Sequence, residues 1–217
     1  MSRTYQRVIA LLVSACALTA GGAESDLSVN ARLLLAARNS DSVGLERALH
    51  SGAAVNSRNR LGETALLVAL KKKDFAIAAT LIEAGTDVNI PALNGVTALM
   101  AAAHAGHSDM VGRLLTRGAQ ALATDRIGKN AITYAAGEGH AKIVKQLIAN
   151  GVDPNARYRN ELTALMWAAG YGRTEAVQVL LSAGARPELK DNRGKTALDI
   201  AREEGYAETA ALLATWK

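Results

Sequence analysis

The sequence predicts an all-α solenoid of helix-turn-helix units joined by β-hairpin loops, with about six repeats including half-repeat caps. The first observation is a period of 33 residues, which separates equivalent positions along the chain. The second is that small and aliphatic residues recur in the same register, whereas the chain contains one Phe. A fixed period of this length indicates stacked supersecondary units. The positions that mark the period are Thr64, Thr97, Asn130, Thr163 and Thr196.

Each unit reads as two short helices. The side chain of Thr97, or its equivalent, can cap the first helix by accepting a backbone N–H one turn further on. The second helix carries an apolar stripe that includes Leu114 and Leu115, and Gly118 is suited to ending it. Leu115 is therefore expected in the core, where its replacement by Ala would cost about 2–5 kcal/mol.

The register divides the chain into a leader and one repeat domain. Residues 1–23 are expected to be a secretory signal peptide, because Arg3 and Arg7 precede a mostly apolar run from Val8 to Ala20 and small residues follow. Residues 24–217 are expected to form the repeat domain. Its repeats span about 27–56, 57–89, 90–122, 123–155, 156–188 and 189–217.

The leader allows two routes out of the cytoplasm. Signal cleavage after Ala23, Gly22 or Ala20 would release a periplasmic or secreted protein. Alternatively, Val13-Ser14-Ala15-Cys16 resembles the lipobox of bacterial lipoproteins, which implies that Cys16 is lipidated and anchors the chain to the bacterial envelope. Loss of Arg3 and Arg7 with the leader lowers the net charge of +5 by two, to a mild +3.

The repeated residues resemble the ankyrin repeat family. Gly95-Val96-Thr97-Ala98-Leu99-Met100-Ala101-Ala102 is similar to its Gly-x-Thr-Pro-Leu-His-x-Ala signature, and Gly106-His107 is similar to its Gly-His link. Gly85-Thr86-Asp87-Val88-Asn89 matches its Gly-Ala-Asp-Val-Asn ending. Lys73-Asp74 replaces Gly-His in one repeat, so an irregular link is expected there. The resemblance implies an interaction scaffold without catalysis or cofactor.

The family's usual recognition surface is concave and combines hairpin tips with the exposed ends of first helices. Carried over by register, the resemblance assigns a partner-binding surface in which Leu93, Val96, Ile127 and Leu162 form an apolar strip among basic residues. The assigned residues are Arg60, Leu61, Lys71, Lys72, Leu93, Asn94, Val96, His104, Arg126, Ile127, Lys129, Arg159, Asn160, Leu162, Tyr171, Arg193 and Lys195.

Other functions are less favoured by the sequence. A metal-dependent factor using His104 and His107 would have Asp109 or Glu138 nearby, but histidine at the link position usually serves helix initiation and stacking. The sequence lacks nucleophile and phosphate-loop motifs, and the mild charge disfavours nucleic-acid binding. We therefore expect an exported bacterial scaffold that is monomeric, is not an enzyme and binds a protein with an acidic surface. It would meet a membrane only if Cys16 is lipidated.

Overall fold

The computed structural model describes residues 27–216, so the predicted signal peptide and Cys16 lie outside the described residues. Twelve α-helices follow one another in this part of the chain, and a short 3-10 helix lies at Arg159–Glu161. The helices are α1 (Val29–Asn39), α2 (Ser42–His50), α3 (Ala65–Lys71), α4 (Phe75–Glu83), α5 (Ala98–Ala105), α6 (Ser108–Thr116), α7 (Ala131–Glu138), α8 (Ala141–Ala149), α9 (Ala164–Gly170), α10 (Thr174–Ser182), α11 (Ala197–Glu203) and α12 (Ala207–Thr215).

The predicted caps begin the first helix of each full repeat. In α5 the hydroxyl of Thr97 accepts the backbone N–H of Met100 at 3.4 Å, and Asn130 accepts that of Thr133 at 3.2 Å in α7. Asn130 and Thr133 bond reciprocally, which satisfies two backbone donors at the helix start. Helices of seven or eight residues are too short to be stable alone, so these caps act together with packing between repeats.

The link between α3 and α4 follows the same path as the other links although it lacks the glycine. Lys73 adopts a left-handed backbone with φ of 60°, and Gly106 has φ of 81° at the equivalent place. Asp74 then caps α4 by accepting the N–H of Ile77 at 3.1 Å. The expectation of an irregular link was therefore wrong, because a lysine occupies the conformation that glycine adopts more readily.

One continuous core runs through the stack from Leu33 in α1 to Leu213 in α12. Neighbouring first helices pack more closely against each other than neighbouring second helices do, since small residues such as Ala102 and Ala135 face the next repeat. Leu114 is fully buried, whereas Leu115 is only partly buried at the edge of the core. The expected burial of Leu115 was wrong, and the full cost of a large-to-small change belongs to Leu114.

The connecting hairpins are tight turns without strands in the range 27–216, where a single isolated bridge joins Arg58 and Thr64. Each hairpin ends directly at the cap of a first helix, so its tip is fixed relative to that helix. No helix in this range has the length and apolar character needed to cross a bilayer.

Candidate protein-binding surface

The five hairpin tips form a row along one side of the stack. Each closes with the same backbone hydrogen bond, as from Ala92 N–H to the carbonyl of Val96 at 3.0 Å. Backbone hydrogen bonds also join three of the four pairs of neighbouring tips, the exception being the hairpins of residues 125–129 and 158–162. The N–H of Leu93 donates to the carbonyl of Leu61 at 2.9 Å, and that of Arg126 donates to the carbonyl of Asn94 at 3.0 Å. The predicted tip residues of successive repeats are thus brought together on a pre-formed surface.

Three apolar side chains project from these tips. Leu61, Leu93 and Ile127 are 63%, 54% and 53% exposed, which is unusual for large aliphatic residues. Val96 and Leu162, which the sequence places in the same strip, are half-buried and pack against the core. The apolar strip therefore differs from the predicted one. Its exposed members, which we call the apolar tip residues, are Leu61, Leu93 and Ile127.

Three of the eight lysines and arginines assigned to the surface form salt bridges within the described residues. Lys71 Nζ lies 2.6 Å from Glu63 Oε1, Arg193 contacts Asp191 at 2.9 Å, and Lys195 pairs with Glu203. Burial alone would raise the pKa of Glu63, but hydrogen bonds from Lys71 and Asn59 and the charge of Lys71 hold it below its ordinary value. These cations hold the first helices and tips together and contribute little net charge to the surface.

Three tip arginines remain outside this network. Arg60, Arg126 and Arg159 are exposed, and none forms a salt bridge with any residue in the described range. They occupy the same register position in the first, third and fourth tips. Arg60 and Arg126 directly precede the apolar tip residues Leu61 and Ile127, and Arg159 lies on the tip after Ile127. Arginine beside exposed aliphatic side chains is the composition favoured at protein interfaces.

The first helices add a row of aromatic side chains below the tips. Tyr134 and Trp167 are half-buried and pack against the core, and Trp167 stacks on Tyr171 with ring centres 6.1 Å apart. His104 meets the edge of Tyr134 at 5.7 Å. We call these four residues the aromatic cluster. Because Tyr134 and Trp167 differ by one repeat, their register could have indicated that they lie side by side.

Lys129 connects the tips to this cluster. Its ammonium lies 3.9 Å from the ring centre of Trp167 and 5.5 Å from that of Tyr134. The hydroxyl of Tyr134 donates to Asp125 Oδ2 at 2.7 Å, which fixes the ring. Burial, together with this bond and the charge of Asp125, raises the pKa of Tyr134, so the phenol stays protonated. Lys129 is therefore a positioned cation over aromatic faces.

Two shallow pockets are each lined by one of the rings that Lys129 contacts, Tyr134 in the first and Trp167 in the second. The first pocket, of about 320 Å³, is lined by residues that include Met100, His104 and Tyr134. The second pocket, of about 260 Å³, is lined by residues that include Met166, Trp167 and Tyr171. Both lie on the first-helix side that the sequence assigned to partner binding.

The histidines of the alternative metal site serve other contacts. His107 Nδ1 accepts the N–H of Met110 at 3.1 Å at the start of α6, and its ring packs 3.9 Å from that of Phe75. His104 Nδ1 lies 3.4 Å from Glu138 Oε1, and its carbonyl meets His140 Nε2 at 3.1 Å. Across residues 27–216 no three potential metal-binding side chains cluster. Lys72 is likewise engaged, donating to the carbonyl of Arg38 at 2.6 Å.

The helix pairs, their capped starts and the row of tips define a helical repeat solenoid. A family model described as ankyrin repeats (3 copies) matches residues 33–125, 73–158 and 132–216. The chain therefore belongs to the ankyrin repeat family, whose members generally mediate protein–protein interaction and are typically non-catalytic scaffolds. No curated protein matches the chain significantly.

Proposed function

We propose that this protein is a non-catalytic scaffold that binds a partner protein on its concave surface of hairpin tips and first helices. The observation that carries the proposal is the row of exposed Leu61, Leu93 and Ile127 next to tip arginines without salt bridges in the described range. An exposed apolar row costs free energy in water, and a partner that covers it recovers that free energy. The neighbouring arginines favour a partner whose facing surface is acidic.

The pre-formed geometry supports the same role. The hydrogen bonds between successive tips hold the surface in place before a partner arrives, as between Arg126 and Asn94. A surface that is ordered in the free protein loses little conformational entropy on association.

Charge reversal on the tips tests this proposal. The double variant Arg126→Glu, Arg159→Glu is expected to lose capture of its partner from envelope extract while keeping its helical content, because both side chains are exposed. The matched control is Lys142→Glu, Lys145→Glu, which makes the same charge change on the second helix α8. Capture that survives in the tip variant, or that falls equally in both variants, would refute binding at the tips.

The proposed place of action is outside the cytoplasm of a bacterium. This part of the proposal rests on the sequence of residues 1–23 alone, with its basic start, short apolar run and small residues. The mass of the mature protein tests it. A chain beginning at residue 24 supports cleavage after Ala23, a lipid-modified chain beginning at Cys16 supports the envelope anchor, and an intact chain in the cytosol refutes export.

A further inference from the structure

We propose that the concave surface binds a continuous acidic segment of the partner, which places one apolar side chain in each pocket and a carboxylate over Lys129. This inference rests on the proposed function and identifies the kind of segment that the surface recognises. It depends on the two pockets, on the cation between them and on the repeat spacing that separates them.

Each pocket is suited to one large apolar side chain. Their volumes of about 320 and 260 Å³ lie at or below the low end for small-molecule sites. The first pocket is lined by Leu70, Met100 and Ala101, and the second by Met166, Trp167 and Ile200. A methionine in the lining of each pocket provides a deformable apolar surface. An anchor side chain in each pocket would be the kind of contact that dominates interface energetics.

The ammonium of Lys129, which lies between the two pockets, favours an anionic group on the partner. Lys129 lies over Trp167 and has no salt bridge within the described residues. Covering an ammonium with an apolar or cationic group would remove it from water without replacing its hydration, which is costly. A carboxylate on the partner offsets that cost and gains a charge-assisted hydrogen bond. The exposed Arg126 and Arg159 on neighbouring tips extend the same preference.

The two ends of the surface differ in charge and so distinguish the ends of the segment. At the first pocket, Lys73 is exposed and has no salt bridge within the described residues, whereas Lys71 is paired with Glu63. At the second pocket, Glu204 is part of the lining and Arg193 is paired with Asp191. Acidic residues are therefore favoured around the first anchor and at the centre, and disfavoured beyond the second anchor.

The spacing of the pockets sets the spacing of the anchors. Met100 and Met166 occupy equivalent positions two repeats apart. Neighbouring helices pack about 8–10 Å apart, so the pockets are separated by roughly 20 Å. An extended segment covers that distance in about six residues at 3.3 Å per residue. A helical segment needs about thirteen residues at 1.5 Å each.

A displayed library of random 16-residue peptides, selected on the purified protein, tests the inference. We expect selected peptides to be net acidic, with two large apolar residues about six or about thirteen positions apart. Binding should change the emission of Trp167, which is measured in a Trp216→Phe background because the chain has two tryptophans. Selection of neutral or basic peptides, or failure to select any, would overturn the proposal.

Variants then locate the contacts. Lys129→Met keeps an aliphatic chain of similar length over Trp167. We expect it to lower the affinity for the selected peptides by about tenfold or more, because it removes one charged partner of a covered pair. His104→Ala and Tyr171→Ala should each lower the affinity for these peptides several-fold. Peptides with Asn and Gln in place of Asp and Glu should bind the parent protein and the Lys129→Met variant equally. Acidic peptides with unchanged affinity for these three variants would overturn the proposal.

The outcome separates this inference from the proposed function. If partner capture fails only in the Arg126→Glu, Arg159→Glu variant and the pocket variants bind normally, the scaffold function stands and the two-anchor segment is wrong. If tip reversal leaves capture intact, the proposed surface itself fails, whatever the peptides show.

Discussion

The hairpins of residues 125–129 and 158–162 are neighbours in the stack and close with the same backbone hydrogen bond, yet different side chains hold them. Buried Asp125 accepts the N–H groups of Ile127 at 3.0 Å and Lys129 at 2.9 Å, and its second oxygen accepts the hydroxyl of Tyr134. Tyr158 replaces it one repeat later and accepts Asn130 Nδ2 at 2.9 Å. The first hairpin is held from inside, and the second by the repeat before it.

The backbone differs accordingly. Asn160 and Glu161 have φ of 61° and 60°, and Gly128, which has φ of 76°, occupies in the first hairpin the position of Glu161. A left-handed glutamate is disfavoured by contact between its Cβ and the backbone, a cost that glycine avoids. The same hairpin backbone is therefore stabilised by different side chains in the two repeats, and the second hairpin retains strain that the first lacks.

The largest expected effect is one that the two repeats share. Leu147 in α8 and Leu180 in α10 are fully buried at equivalent positions. We expect Leu147→Ala and Leu180→Ala each to lower the free energy of unfolding by about 2–5 kcal/mol, through lost burial and a cavity. Urea denaturation measures this, and a large difference between them would show that the repeats differ in their cores as well as in their hairpins.

The next largest effect is expected in the first hairpin alone, because only this hairpin is held by Asp125. Asp125→Ala removes three hydrogen bonds to a carboxylate, so we expect a loss of about 2–3 kcal/mol of unfolding free energy, measured by urea denaturation. Asp125→Asn is the matched control, because its amide oxygen still accepts the two backbone N–H groups and the loss should be smaller. An Asp125→Ala variant as stable as the parent would mean that the carboxylate does not hold this hairpin.

A smaller effect tests the support of the second hairpin. Tyr158→Phe removes the acceptor of Asn130 Nδ2 and is expected to cost about 1 kcal/mol in thermal or urea unfolding. Asn130 is fully buried, so its amide gains no water in exchange. No loss of stability in this variant would contradict the assigned link between the repeats.

The smallest effect has the opposite sign. Glu161→Gly should raise the free energy of unfolding by about 0.5–1 kcal/mol, because glycine adopts the left-handed backbone without strain. The lost ion pair with Arg157 is exposed and contributes little. Gly128→Ala is the opposite control, since its Cβ would lie 2.8 Å from Cβ of Arg159. A less stable Glu161→Gly variant would contradict strain at this position.

The period of 33 residues was sufficient to predict the helix pairs, their caps and their order, because these depend on residues within one repeat or on the same position of the next. The exposure of individual surface residues was harder to predict. Leu93 and Val96 are both aliphatic and three residues apart, but the turn exposes one and packs the other against the core. Side-chain direction inside a tight turn does not follow from residue type.

The pairing of charged and aromatic groups was also beyond the sequence. Lys129 was assigned to the partner-binding surface as a basic tip residue, but nothing in the sequence indicated that its ammonium lies on Trp167 of the following repeat. Lys195 was expected on the partner-binding surface and is paired with Glu203 at the end of α11. Both contacts depend on rotamers and on the distance between elements, which a repeat alignment does not contain.

Close helix contacts from α1 to α12 are made within one repeat or between neighbouring repeats. Distance along the stack is therefore set by the number of repeats between two positions. Two positions that differ by a whole number of periods are displaced along the stack in proportion to that number. Inserting or deleting one complete period between Met100 and Met166 would therefore lengthen or shorten their separation by one increment, with the local environment of each methionine preserved.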